Sequence, residues 1–281
     1  MKTYLKTFYS KTFKSLSIWG SIFFVAVALA IFPKSYSFDP TVAIEVMGAI
    51  ISTGLVMAIV LGYGGTLSTI KSTNLSDTFK ITGVKKIEMM LLSLIPAFTI
   101  FFAYVGLSIS LIAIYEAMGQ LPLNELVNAP VVPGMPTGNA NFWSATNWLA
   151  VISSLFVSFG ISLSISIMIA LWTKSDKTYN NISYSYVLAV FLFGGATMPI
   201  TLLRPAMDKY PVVGDGEELK AFIYIGRMIP SSYGNFMVAD AIGTSRNAYD
   251  LSQQNVLFDL IGALTWTTLF TSVSIYQYRK W

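Results

Sequence analysis

The chain contains no cysteine and no histidine. These absences exclude disulfides, thiol nucleophiles, imidazole general bases and His or Cys metal ligands. Charge is scarce as well: 11% of the 281 residues are charged, whereas 54% are hydrophobic. A soluble domain needs more polar surface than that. There is no Gly-x-x-x-x-Gly-Lys-Ser/Thr phosphate loop, so the chain lacks that route to ATP binding. No repeat period or low-complexity tract divides it, and a single membrane domain over 1–281 is the economical reading.

What the sequence does have is long apolar runs, at about 15–32, 41–63, 89–115, 148–172, 182–203 and 256–276. Each approaches or exceeds the roughly 20 residues that cross a bilayer core. A span must satisfy its own backbone hydrogen bonds, so each run is expected to be a helix. The expectation is an all-α membrane protein with six transmembrane helices. Lys2, Lys6, Lys11 and Lys14 precede the first run, and Lys71, Lys80, Lys85 and Lys86 fill the second gap. Lys174 and Lys177 mark the fourth gap, and Arg279 and Lys280 the C-terminus. By the positive-inside rule both termini are cytoplasmic. Trp143, Trp148 and Trp172 bracket the fourth run at headgroup depth. The net charge of +4 belongs to lysines facing anionic lipid, and it does not point to nucleic acid. The first run lacks a clear small-residue cleavage site, so it reads as retained.

Four segments outside the spans carry pattern. Residues 1–15 place Leu5, Phe8, Tyr9 and Phe13 on one helical face, which fits an interfacial helix or an extension of the first span. Residues 73–83 read as a short cytoplasmic helix. Asn74 caps it, Asp77 favours its N-terminus, and Gly83 stops it. Leu75 and Phe79 give it an apolar side, which either packs on the chain's own bundle or docks into a partner's groove. The third gap, about 116–143, holds Pro122, Pro130, Pro133 and Pro136 and reads as an external loop. The fifth gap, 204–253, reads as an external loop containing a segment at 219–230 that is too short to span. That segment is either re-entrant or an amphipathic helix on the outer surface.

Within the spans, Ser154, Ser158, Ser162 and Ser166 recur every fourth residue. They are either a helix-packing seam or a lining for a polar or amphipathic substrate. Glu45, Glu88, Glu116 and Asp259 lie near span ends, and none sits convincingly at a span centre, which argues against ion coupling.

Two segments together resemble the membrane subunit of an ATP-binding-cassette exporter of the type-2 superfamily, which handles drugs, peptides and polysaccharides. The first is Ile70-Lys71-Ser72-Thr73-Asn74-Leu75-Ser76-Asp77-Thr78-Phe79-Lys80-Ile81-Thr82-Gly83. The second is Gly194-Gly195-Ala196-Thr197-Met198-Pro199, followed by Pro230-Ser231-Ser232-Tyr233. The resemblance covers nearly the whole chain. It departs at Lys71, where the family usually has an acidic residue, at Gly83, where proline is frequent, and at 210–220, which looks inserted.

The resemblance implies ATPase coupling through Asn74, Leu75, Asp77, Phe79, Ile81 and Gly83. It implies an external gate at Gly194, Gly195, Pro199, Pro230 and Tyr233. It also implies a non-catalytic permease of the plasma membrane, of bacterial type. Its partners would be a second permease and two ATPase subunits, with ATP and Mg on the ATPases and no cofactor or metal on this chain. The substrate would be an amphipathic peptide, a drug or a lipid-like molecule. A stand-alone secondary transporter or channel is the alternative, and a membrane enzyme a more distant one.

Overall fold

The structure, a computed structural model, describes residues 2–35, 40–73, 86–128, 141–197, 225–243 and 253–280. Among them every regular element is helical. Helix α1 covers Lys2–Phe13, α2 Leu16–Ser35 and α3 Pro40–Met57. A π-helical segment, Ala58–Tyr63, joins α3 to α4, Gly64–Ser72. Helix α5 is Lys86–Ala117, and the short α6 and α7 are Leu123–Asn128 and Phe142–Ala145. Then come α8 (Trp148–Trp172), α9 (Asp176–Phe193), α10 (Pro230–Gly243) and α11 (Gln253–Lys280).

Among the described residues, five helices are long and apolar enough to cross a membrane: Leu16–Ser35, Val42–Ser72, Leu91–Ala117, Trp148–Trp172 and Leu257–Gln277. The chain is an all-α membrane protein. Large apolar side chains point outward along α2, α5 and α11, among them Phe23, Phe102 and Leu264. Outward apolar surface on this scale suits a lipid solvent.

Burial is uneven. In the α3–α4 span 94% of the apolar window is buried, against 17% in α11, so α3–α4 is the central post. Lipid offers no hydrophobic drive between helices, so association depends on close packing and on interhelical hydrogen bonds. Both occur along α3. Added at Gly48, a Cβ would stand 2.8 Å from the backbone of Ala239 in α10. The Tyr104 hydroxyl donates to Ile51 O at 2.8 Å, tying α5 to α3.

Helix α1 folds against the bundle. Phe8 is fully buried beside Tyr63, and Tyr9 Oη lies 2.7 Å from Thr99 Oγ1 of α5. Leu5 and Phe13 are partly covered, while Lys6 and Lys14 stay exposed. The amphipathic face read from the sequence is therefore turned towards protein.

Two expectations need correction. The run read as a span over 182–203 is not one continuous helix: α9 starts at Asp176 and stops at Phe193. Ser175 caps its start, accepting from Thr178 N at 3.3 Å. Gly195 ends it with φ of 92°, a left-handed conformation that glycine adopts without steric cost. Thr197 Oγ1 then donates back to Phe191 O and Leu192 O at 3.2 and 2.8 Å, satisfying carbonyls the helix end leaves open.

The second correction concerns the fifth gap. Part of it is not an external loop. Helix α10 lies within it, and Pro230 to Ile242 are all buried against α3, α8 and α11. Pro230 opens that helix, where a missing N–H costs nothing.

Candidate functional site

The polar groups of the bundle gather where α10 meets α3, α8 and α9. Asn235 is fully buried on α10. Its Nδ2 donates to Thr53 Oγ1 of α3 at 2.9 Å and to Gly194 O at the end of α9 at 3.0 Å. Its Oδ1 has no hydrogen-bond partner, nor does the buried hydroxyl of Ser232. A few residues earlier Ser231 Oγ lies 2.6 Å from Tyr186 Oη of α9. Asn235 thus pins the broken end of α9 to α10, and Ser231 joins the two helices further back along α9. Gly226, just before α10, completes the contact, since a Cβ there would stand 2.8 Å from Phe193 O.

The serine stripe of α8 faces this seam. Ser154, Ser158, Ser162 and Ser166 are all buried. Ser158 stands at the convergence of three helices. Its Oγ lies 2.8 Å from Ser52 Oγ of α3, and a Cβ on Gly234 of α10 would come within 2.7 Å of its Cα. Ser162 Oγ returns to Ser158 O at 2.7 Å, and Ser166 Oγ donates to Ile59 O at 3.5 Å. Protein fills the space around the stripe, which is the packing arrangement of small residues.

An ionic contact closes the far flank. Arg227 Nη1 is 3.8 Å from Asp259 Oδ1 of α11, and the guanidinium sits 4.6 Å from the centre of the Phe258 ring. Tyr233 packs between Phe258 and Gly262, so α10 and α11 interlock there. Asp240 is also buried, although it lies in the stretch that reads from the sequence as an external loop.

A second polar cluster lies at the opposite end of α8. Lys71, in the last turn of α4, donates Nζ to Ala170 O, Leu171 O and Thr173 O at 3.0, 2.6 and 2.8 Å. A cation there satisfies the open carbonyls of α8 and opposes the negative end of its dipole. Ser68 Oγ and Ser72 Oγ donate to Asp176 Oδ1 at 2.9 and 3.0 Å, which joins α4 to the first turn of α9. The buried Tyr179 hydroxyl donates to Val60 O of the π segment.

Of the residues expected to form a gate, Gly194 meets α10 at Asn235, Gly195 ends α9, Pro230 opens α10 and Tyr233 turns towards α11, whereas Pro199 lies outside the described residues. The coupling residues Asn74, Leu75, Asp77, Phe79, Ile81 and Gly83 also lie outside them. Sequence reasoning missed Asn235, Lys71, Asp176 and Tyr179. The run of polar residues from Ser231 to Asn235 within an otherwise apolar stretch was the signal available for the first.

Comparison with protein-family models, with curated proteins and with solved structures gives no match.

Proposed function

We propose that this chain is the membrane subunit of an ATP-driven exporter of the ATP-binding-cassette type. In this reading it crosses the plasma membrane of a bacterium six times, with α9 in the fifth crossing. Both termini face the cytoplasm. It pairs with a second permease, and two separate ATPase subunits carry ATP and Mg. The observation that supports it best is α10, a polar helix buried in the bundle beside the interrupted end of α9. Backbone that leaves the helix at membrane depth, as at Gly194 and Gly195, is tolerated only where protein covers it or it lines a wet cavity. Helix α10 and Gly194, Gly195, Pro199, Pro230 and Tyr233 are the gate in this proposal, and residues 74–83 are the contact with the ATPase.

The substrate enters between permeases, since the serine stripe is occupied by packing. Amphipathic peptides, drugs and lipid-like molecules suit a chain with 14% aromatic residues and a largely apolar surface.

Co-purification tests this. A separate ATPase should accompany the wild type in mild detergent and be lost after Leu75→Asp or Phe79→Asp. A wild type that purifies alone and transports in ATP-free vesicles would establish the secondary-transporter alternative instead.

A further inference from the structure

The clasp around Lys71 has geometry beyond helix capping. Three helix ends meet there: the end of α4, the end of α8 and the start of α9. Each pair is joined. Lys71 holds α4 to α8 with one ammonium on three carbonyls. Asp176 holds α4 to α9 with one carboxylate oxygen under two serine hydroxyls. Between α8 and α9 only Thr173, Lys174 and Ser175 intervene. Charge-assisted hydrogen bonds of this kind are the strong ones, and here they converge within a few residues.

Immediately above this cluster the central post changes its winding. In Ala58–Tyr63 the hydrogen bonds run to the fifth residue, and Gly64 N closes the last of them on Ile59 O. Such π turns are rare, are a known cause of helix kinks and are frequent at functional sites. The surroundings are built to fit this one. Ser166 of α8 and Tyr179 of α9 reach carbonyls of the segment, at Ile59 and Val60. Gly64 leaves the room they need, since a Cβ there would collide with the Tyr179 hydroxyl and Ser166 Oγ.

We propose that α4, the end of α8 and the first turns of α9 form one rigid arm, clasped by Lys71 and Asp176, that pivots on the π segment Ala58–Tyr63. The arm ends at Thr73, next to the residues proposed above as the ATPase contact. Helix α9 is its rod: 18 residues, about 27 Å at the helical rise, run from the clasp to Gly194. There Asn235 ties the rod to α10, and about two turns earlier Tyr186 ties it to Ser231. A push on one end of the arm therefore arrives at the outer seam through a single helix. Coupling between distant sites needs such a discrete element that both ends bias. The inference rests on the exporter reading only for what pushes. The arm and its pivot are properties of this chain alone.

The test uses the full chain in lipid nanodiscs without any ATPase, so its outcome is independent of whether an ATPase binds. Amide hydrogen exchange is followed in the wild type, Lys71→Met, Lys71→Arg, Asp176→Asn and Tyr179→Phe. Loss of the clasp in Lys71→Met or Asp176→Asn should raise exchange about tenfold, the cost of one charge-assisted bond. The rise should appear together in 64–72 and 169–178, leaving 42–57 unchanged, and Lys71→Arg should stay near the wild type. Tyr179→Phe should raise exchange at 60–66. A rise confined to 169–173 in Lys71→Met would mean that Lys71 only caps α8, and the arm would be overturned. Unchanged exchange at 60–66 in Tyr179→Phe would overturn the pivot. Spin labels at Thr73→Cys and Lys174→Cys give a second measurement. One narrow distance is expected in the wild type and a broad one with Lys71→Met added. A broad distribution in both would refute a rigid arm.

Discussion

Asn235 shows how much a single buried amide organises. It links three helices through two donated hydrogen bonds, and its loss leaves Gly194 O and Thr53 without that partner. Interhelical hydrogen bonds in membranes contribute less than their counterparts in vacuum, up to about 2 kcal/mol each. Asn235→Leu is therefore expected to lower stability by about 1–3 kcal/mol, read as a fall in the thermal midpoint in detergent. Glycines give the opposing contrast. Gly234→Leu places a side chain where a first carbon would already stand 2.7 Å from the Ser158 backbone. That change should cost about 3 kcal/mol or more and abolish a monodisperse elution peak. Gly106→Ala has open space around it and should elute as the wild type does. At this scale the sequence was only partly legible. The serine stripe was visible as a pattern, yet its meaning depended on Gly234 and Ser52, which come from distant parts of the chain. Lys71 stood out as a departure from the expected acid, and nothing near it in sequence indicated that it would reach the end of α8.

Among the elements, spans were the easiest to read and α10 the hardest. Hydropathy reports how a segment matches lipid, and so α2, α5, α8 and α11 were evident from their runs. Helix α10 touches protein on every side, so it keeps Ser231, Ser232, Asn235 and Asp240 and reads as a loop. The Gly194–Gly195 pair stands out in the sequence, but a pair of glycines alone does not distinguish a thinned helix from an ended one. The positive φ at Gly195 decides for an end. If α10 and the end of α9 are the outer gate, Tyr233→Ala should impair export while leaving the assembled complex intact on size exclusion. Tyr233 fills the gap over Gly262, so its removal loosens α10 against α11 without touching the post. Unimpaired export by both Tyr233→Ala and Pro199→Ala would remove the gate assignment.

For the whole molecule, two contacts between helix ends fix the relative directions of four helices. The ends of α2 and α5 meet through Lys34 and Gln120, while the ends of α4 and α8 meet through Lys71 at the other side. In the proposed reading, the positive-inside rule places the second side in the cytoplasm. The lack of cysteine makes this directly testable. Met118→Cys should react with a membrane-impermeant maleimide on intact cells, and Lys174→Cys only after permeabilisation. The reverse pattern would invert the orientation and with it the exporter reading. The five long apolar helices among the described residues were legible because lipid imposes their composition. The path of force was not, because it is written in hydrogen bonds between residues about a hundred positions apart, such as Lys71 with Leu171.

The π segment also has an evolutionary and engineering consequence. A π turn accommodates one residue more than an α-helix would need while keeping the helix facing the same way on either side. Deleting one residue within 58–63 should thus let the post close into an ordinary α-helix, with Lys71 still aimed at α8. The same deletion in α3, well before the segment, would swing everything after it by about 100°, one residue's share of a turn. Tolerance to indels in this post should then be sharply local, and a deletion scan would locate the spare residue without reference to transport.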